Sequence, residues 1–216
     1  MDADAFLRGY WIAALVILLG TALFNILYNL SYQRKIRALA PLLASGRAAE
    51  FAAGMEKLLQ TAKGTGLRSI LQLNLAAGWL EAGQIDQAVR LLEDLSSRRF
   101  RGGAEMIRRL NLCLGYFRGA QYDQAMALYR ESGPIFQPYR EHKTLGGNLA
   151  ELDILAAIQE GQSQRAETLL RAARTRWTAD PRLQEDFRRI SRLLEEQKAG
   201  TPPGAEAQEG EADKIS

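Results

Sequence analysis

Two stretches of this chain carry the same pattern 37 residues apart. Residues 73–88 (LNLAAGWLEAGQIDQA) and residues 110–125 (LNLCLGYFRGAQYDQA) agree at eight of sixteen positions. A fixed period in this range marks a stacked repeat, whose single unit cannot bury its apolar face alone. One period before Gly83, Gly46 separates two helical patterns, over 37–45 and 47–62. Beyond the second copy, Gly161, Gln162 and Ala166 restate Gly83, Gln84 and Ala88 after a longer interval of 41 residues. The excess is expected to be a loop over 132–140. Four units are expected.

Each unit reads as helix, tight turn, helix. Ile85, Ala88, Val89, Leu92 and Leu95 recur at helical spacing while Arg90 and Glu93 face away. Tyr122, Ala125, Met126 and Tyr129 repeat that stripe, as do Phe51, Ala52, Met55, Leu58, Leu59 and Ala62. Gly83, Gly119 and Gly161 fall where antiparallel helices must turn, a position that favours a residue free at positive φ. Only six prolines and an abundance of Ala, Leu, Gln, Glu and Arg agree with an all-α protein.

These residues resemble the tetratricopeptide repeat (TPR) family. Trp79 and Tyr116 match its first-helix aromatic, Gly83 and Gly161 its turn glycine, and Ala88, Ala125 and Ala166 the small residue where helices cross. Leu92, Tyr129 and Leu170 match the bulky position that follows. The period exceeds the family's ~34 residues, the proline at the repeat end is missing, and the first small position, Ala76 and Cys113, becomes Ile154. The resemblance covers residues 34–180 and implies a binding solenoid of about four helical hairpins. It implies a concave face lined by first helices, with Ile70, Leu73, Asn74, Ala77, Ile107, Leu110, Asn111 and Leu114 projecting towards a protein partner. Asn74 and Asn111 interrupt apolar surroundings at equivalent points, so each serves either the partner or the stacking register.

Asp180 and Pro181 make a helix start, with Asp as N-cap and Pro in the first turn. Leu183, Phe187, Ile190, Leu193 and Leu194 then form one stripe on a polar helix over 181–197, the cap that an open repeat end needs. Residues 198–216 offer little to bury and read as a disordered acidic tail.

Before the repeats, the 25 residues Gly9–Gln33 carry no charge. As a helix they span about 37 Å, enough for a ~30 Å hydrocarbon core. Tyr10 and Trp11 at one end, and Tyr28 and Tyr32 at the other, are the aromatics of an interfacial belt. Asp2 and Asp4 in the short segment 1–8 disfavour a secretory signal, and Pro41 blocks the small-x-small site at 38–40. Residues 9–33 are therefore expected to stay as a transmembrane helix. Arg34, Lys35 and Arg37 follow it, which predicts N-out topology with the repeats on the cytoplasmic side of an inner (plasma) membrane. Thr21, Asn25 and Asn29 recur every fourth residue and could bond another membrane helix.

Little in the chain suggests catalysis. Cys113 is the only cysteine and His142 the only histidine, so no internal disulfide, Cys-rich metal site or nucleophile dyad can be assembled. Cys113 falls at a packed position. Gly102–Gly103 and Gly146–Gly147 lack the lysine and preceding strand of a phosphate loop. No enzyme and no cofactor is expected. Arg98, Arg99, Arg101, Arg108 and Arg109 crowd one connection, and Arg171, Arg174, Arg176, Arg188, Arg189 and Arg192 the far end. These could meet RNA, but interspersed acids and scarce aromatics make helix-end arginines the plainer reading, and nucleic acid is not the expected partner. The sequence thus points to a membrane-anchored adaptor for a membrane-associated protein. A tether for RNA or ribosomes is the alternative, or an extracytoplasmic chaperone if the topology is inverted.

Overall fold

A computed structural model describes residues 3–98 and 100–200, with side chains for residues 18, 19, 21, 23–98 and 100–196. Every regular element among them is helical. The chain forms two compact units, Met1–Ala82 and Gly83–Ser216.

The first unit holds α1 (Ala3–Ala44), α2 (Ala48–Thr61) and α3 (Thr65–Glu81). No break falls at the boundary expected between residues 33 and 34, because α1 is one helix of 42 residues with Pro41 inside its last turn. The expected anchor and the first helix of the first repeat are continuous. Small residues bring the helices together: a Cβ on Gly54 would lie 2.8 Å from Leu39, and one on Gly78 would lie 2.8 Å from Phe51. Phe51, Met55, Leu71 and Leu75 are buried. Tyr32, expected in an interfacial belt, is instead only 4% exposed. Its hydroxyl lies 2.9 Å from Thr61 Oγ1, so a polar partner on α2 draws the ring inward. Trp79 is half-buried.

The second unit begins with α4 (Ile85–Asp94) and continues with two hairpins, α5 (Gly103–Arg118) with α6 (Tyr122–Phe136) and α7 (Gly146–Gln159) with α8 (Ser163–Arg176). Helix α9 (Pro181–Gly200) packs on α7 and α8. Its N-cap is as expected, with Asp180 Oδ1 accepting from the Arg182 and Leu183 amides at 3.1 and 3.2 Å. Leu183, Phe187, Ile190 and Leu194 join a core with Ile154, Ala157, Ala166, Leu170 and Ala173. Leu193 does not. It is 44% exposed, because a step of one residue from Leu194 rotates it about 100° off the buried face. Residues 198–200, expected in the tail, continue α9; residues 201–216 lie outside the described residues.

The turns repeat more faithfully than the sequence. Gly46, Gly83, Ala120 and Gly161 have φ of 76°, 78°, 56° and 70°. The next residues, Arg47, Gln84, Gln121 and Gln162, all lie near φ −88° with ψ between 52° and 60°. At three of these turns the amide bonds describe a Schellman end: Arg47 to Leu42, Gln121 to Tyr116 and Gln162 to Ala157, at 2.8–2.9 Å. The left-handed position of the third turn is Ala120, not Gly119 as expected. Gly119 has φ −89°. The repeat register, 83 plus 37, places residue 120 there, and the neighbouring glycine is incidental. Ala88, Ala125 and Ala166, four residues beyond Gln84, Gln121 and Gln162, are fully buried.

The loop expected over 132–140 is displaced along the chain. Helix α6 runs to Phe136 through Pro134, and the connection to α7 is 137–145, opening with the 3-10 turn Gln137–Tyr139. Ser132 and Phe136 are fully buried one helical turn apart, so a buried face carries the helix past the proline. Glycine does its work between α7 and α9, where a Cβ on Gly147 would fall 2.2 Å from Leu183 Cδ1. A Cβ on Gly146 would meet the Arg140 carbonyl oxygen, so close approach explains both glycines of the pair.

Candidate functional site

A wide cleft lies within the first unit, where the loop after α2 meets α1. The Lys63 amide donates to the Tyr28 hydroxyl at 2.9 Å, and Arg68 Nη1 caps the end of α2 by donating to the Leu59 and Ala62 carbonyls at 2.8 and 3.2 Å. Rings stack along α1, with Phe24 to Tyr28 at 6.2 Å and Tyr28 to Tyr32 at 5.0 Å. Lys35 Nζ lies 4.9 Å from the centre of the Tyr32 ring. These contacts hold the loop beside α1 and leave a cleft of about 730 Å³ between them. Its walls include Phe24, Asn25, Asn29, Gln33, Lys63 and Ile70, and no carboxylate.

The cleft brings together residues expected at two different sites. Asn25 and Asn29 were expected to meet another membrane helix, and Ile70 a protein partner. Asn29 Nδ2 donates to the Asn25 carbonyl of its own helix at 2.8 Å. Thr21 and Asn25 are exposed. Lys63, Gln33 and the residues Gly64–Gly66, where α3 begins, were missed as site residues. Two glycines bracketing Thr65 at the break between helical patterns were the signal.

The expected partner face divides by burial. Leu73, Leu110 and Leu114 are 3%, 1% and 4% exposed, so they belong to the packing and not to a free surface. Their neighbours are small or apolar on both sides, and sequence spacing alone could not tell the two faces of α3 and α5 apart. Ile70 is 40% exposed, and Asn74, Ala77, Ile107 and Asn111 are half-buried. The remaining surface positions are thus 70, 74 and 77 on α3, and 107 and 111 on α5. Asn74 Nδ2 donates to the Ile70 carbonyl of its own helix at 2.8 Å.

The arginines that suggested RNA are largely engaged in the second unit. Arg108 is 6% exposed and forms a fork with Glu105 through Nε and Nη2 at 2.9 and 2.8 Å. Arg109 bonds Glu105 at 2.6 Å and Glu131 at 2.8 Å. Burial alone would raise the Glu105 carboxyl, but hydrogen bonds and charge from Arg108 and Arg109 outweigh it and hold the group below its ordinary value. Arg176 pairs with Glu141, and Arg188 and Arg189 with Glu185 and Asp186. Arg99 lies outside the described residues.

Burial pushes the Cys113 thiol up to about 12, which leaves it protonated and a poor nucleophile. Burial, followed by its hydrogen bond to Glu93, also pushes the Tyr116 hydroxyl up to about 12. His142 Nδ1 faces Thr144 on an exposed bend. Among the described residues no group of His, Cys, Asp and Glu could hold a metal ion. Among them, too, no helix is long and apolar enough to cross a membrane; the expected span 9–33 falls partly on residues 9–17, 20 and 22, whose side chains lie outside the description. The chain matches no protein-family model, no curated protein and no solved structure.

Proposed function

We propose that this chain is a membrane-anchored adaptor of TPR type: α1 crosses an inner membrane once, and the helical hairpins hold a protein partner at its cytoplasmic face. One observation carries the anchor. Leu18, Leu19, Leu23, Phe24, Ile26, Leu27 and Leu30 are between 43% and 68% exposed. At 3.6 residues per turn these positions spread over about two thirds of the helix circumference. A helix lying on a protein core needs only a stripe ~100° wide. An apolar surface this broad suits lipid on nearly every side.

The Tyr28–Lys63 contact refines the span. A loop held against residue 28 carries polar backbone that hydrocarbon does not tolerate. The span in this reading is therefore 9–27, with 28–33 in the headgroup layer. Nineteen residues still cover about 28 Å, within the usual range. Arg34, Lys35 and Arg37 then orient the chain N-out.

In this reading each unit by itself offers the partner a surface, exposed Ile70 with half-buried Asn74 and Ala77 on α3, and half-buried Ile107 and Asn111 on α5. An apolar residue flanked by an amide at the same helical spacing suits an amphipathic helix or extended peptide of a membrane-associated protein. Two experiments test the reading. A cytoplasm-active reporter fused after Ser216 should work while one active only outside should fail; the opposite result overturns the topology. Replacing Asn74 and Asn111 together by Ala should abolish partner capture from solubilised membranes with unchanged melting. Retained capture removes these faces from the function.

A further inference from the structure

We propose that the cleft between α1 and the Ala62–Gly64 loop with the first turn of α3 seats the headgroup of an anionic phospholipid, so that the adaptor grips the membrane at a second, chemically selective point. The inference rests on the membrane-anchor reading above, which sets the depth of the cleft. Phe24 and Ile36, at its two ends, are twelve residues apart, about 18 Å along α1. With apolar side chains exposed up to Leu30 and charge beginning at Arg34, that interval straddles the boundary between hydrocarbon and headgroups.

Its chemistry matches an anionic amphiphile better than a peptide. The apolar wall of Phe24, Leu67 and Ile70 is continuous with the exposed band of α1, along which acyl chains can run. The polar wall offers amide donors from Asn25 and Gln33 and the ammonium of Lys63. No lining residue is acidic, so nothing opposes a phosphodiester. Arg34, Lys35 and Arg37 sit on the same side of the bilayer boundary and are exposed, adding to the local positive potential. A zwitterionic headgroup would bring its own cation against Lys63. The site should therefore prefer phosphatidylglycerol to phosphatidylcholine.

The full chain, purified in a neutral detergent, tests this by native mass spectrometry with added phosphatidylglycerol or phosphatidylcholine. Carbonate extraction of membranes reads the anchor separately. The wild type should resist carbonate and retain phosphatidylglycerol over phosphatidylcholine. Lys63→Gln should weaken retention about fivefold, the weight of one lysine near an anionic surface. Ile70→Trp, which fills the cleft without changing charge, should do at least as much, whereas Arg37→Gln should change it less than twofold. Equal retention of the two lipids overturns the proposal, as does wild-type retention by both Lys63→Gln and Ile70→Trp. A carbonate-resistant chain with that outcome keeps its anchor and loses only the cleft. A chain that carbonate extracts loses both.

Discussion

The two units stabilise themselves by different means. The second binds its helices with internal charge. Arg118 reaches Glu151 at 3.2 Å and Asp186 at 3.5 Å, and Arg182 reaches Asp186 at 3.4 Å and Asn148 at 2.6 Å. These bonds join α5, α7 and α9, and the Glu151 and Asp186 side chains are only 4% and 3% exposed. In the first unit the contacts are rings, hydroxyls and glycine-lined helix crossings, and the ion pair Arg47–Glu50 lies in solvent, 57% and 60% exposed. A unit that presents an apolar surface on α1 has reason to avoid buried charge near it. The second unit instead uses polar bonds to decide how its last helix docks.

The sharpest way to break this comparison is to cut α1 at two places. Under the proposed anchor, removing residues 1–27 should release the chain from membranes, because Leu18–Leu27 leave with it and Tyr28 and Tyr32 stay. Removing residues 1–33 should also release it, but with a weakened first unit. Loss of the buried Tyr32 ring should cost ~3 kcal/mol by the scale of large-to-small core substitutions. Chemical denaturation of the two truncations should therefore differ, with the longer deletion melting first. Identical curves would mean that residues 28–33 contribute nothing to the fold of the unit.

An effect of similar size, confined to the second unit, is expected from Asp186→Leu. Breaking a buried pair leaves its partner charged and desolvated, typically costing ~3–5 kcal/mol, and Arg118 is 13% exposed at this site. Hydrogen exchange should report loosening of α9 and α7 while α2 is unchanged. Uniform loosening would show that the units do not unfold separately.

Legibility in the sequence follows the same division. Short-range geometry was readable: the left-handed turns at Gly83 and Gly161, the Asp180 cap and the buried alanines each depend on a few neighbouring residues. Ala120 was misassigned because the eye follows glycine, whereas the backbone follows register. The ion network was not readable. Arg118, Glu151 and Asp186 are 33 and 35 residues apart in sequence and look like ordinary helix-surface charges. The cleft was hidden for a similar reason, since it needs α1 to continue past residue 33 so that Lys63 can meet Tyr28. Burial of Leu73, Leu110 and Leu114 escaped notice because an all-apolar helix face has no period to read.

A smaller effect should come from pH, again in the second unit. The Glu105 carboxyl lies below its ordinary value, with burial opposed and outweighed by Arg108 and Arg109. A depressed folded-state value means that the unfolded chain binds the proton more readily. The stabilisation is therefore complete above the ordinary value of 4.5 and is lost as pH falls from there through the folded value. Melting measured from pH 6 down to 3 should show a steeper acid limb for the wild type than for Glu105→Gln. Parallel limbs would assign the acid response to other carboxylates.

The smallest effect lies in the turns, and it tests whether the two units share one turn rule. A non-glycine residue in the left-handed region costs roughly 1–2 kcal/mol, while glycine costs the unfolded chain about 0.5–1 kcal/mol more entropy. At Ala120, φ is 56°, so Ala120→Gly should stabilise the second unit by ~1 kcal/mol or less. At Gly46 in the first unit, where φ is 76° and a Cβ would meet no atom within 4 Å, the exchange runs the other way. Gly46→Ala should destabilise by a similar amount through backbone strain alone, because no contact is gained or lost. Opposite signs of similar size would establish that one turn geometry serves both units whatever holds their helices together. If Ala120→Gly instead destabilises, the alanine methyl is held by packing on its side of the turn, and the two turns are alike only in their dihedral angles.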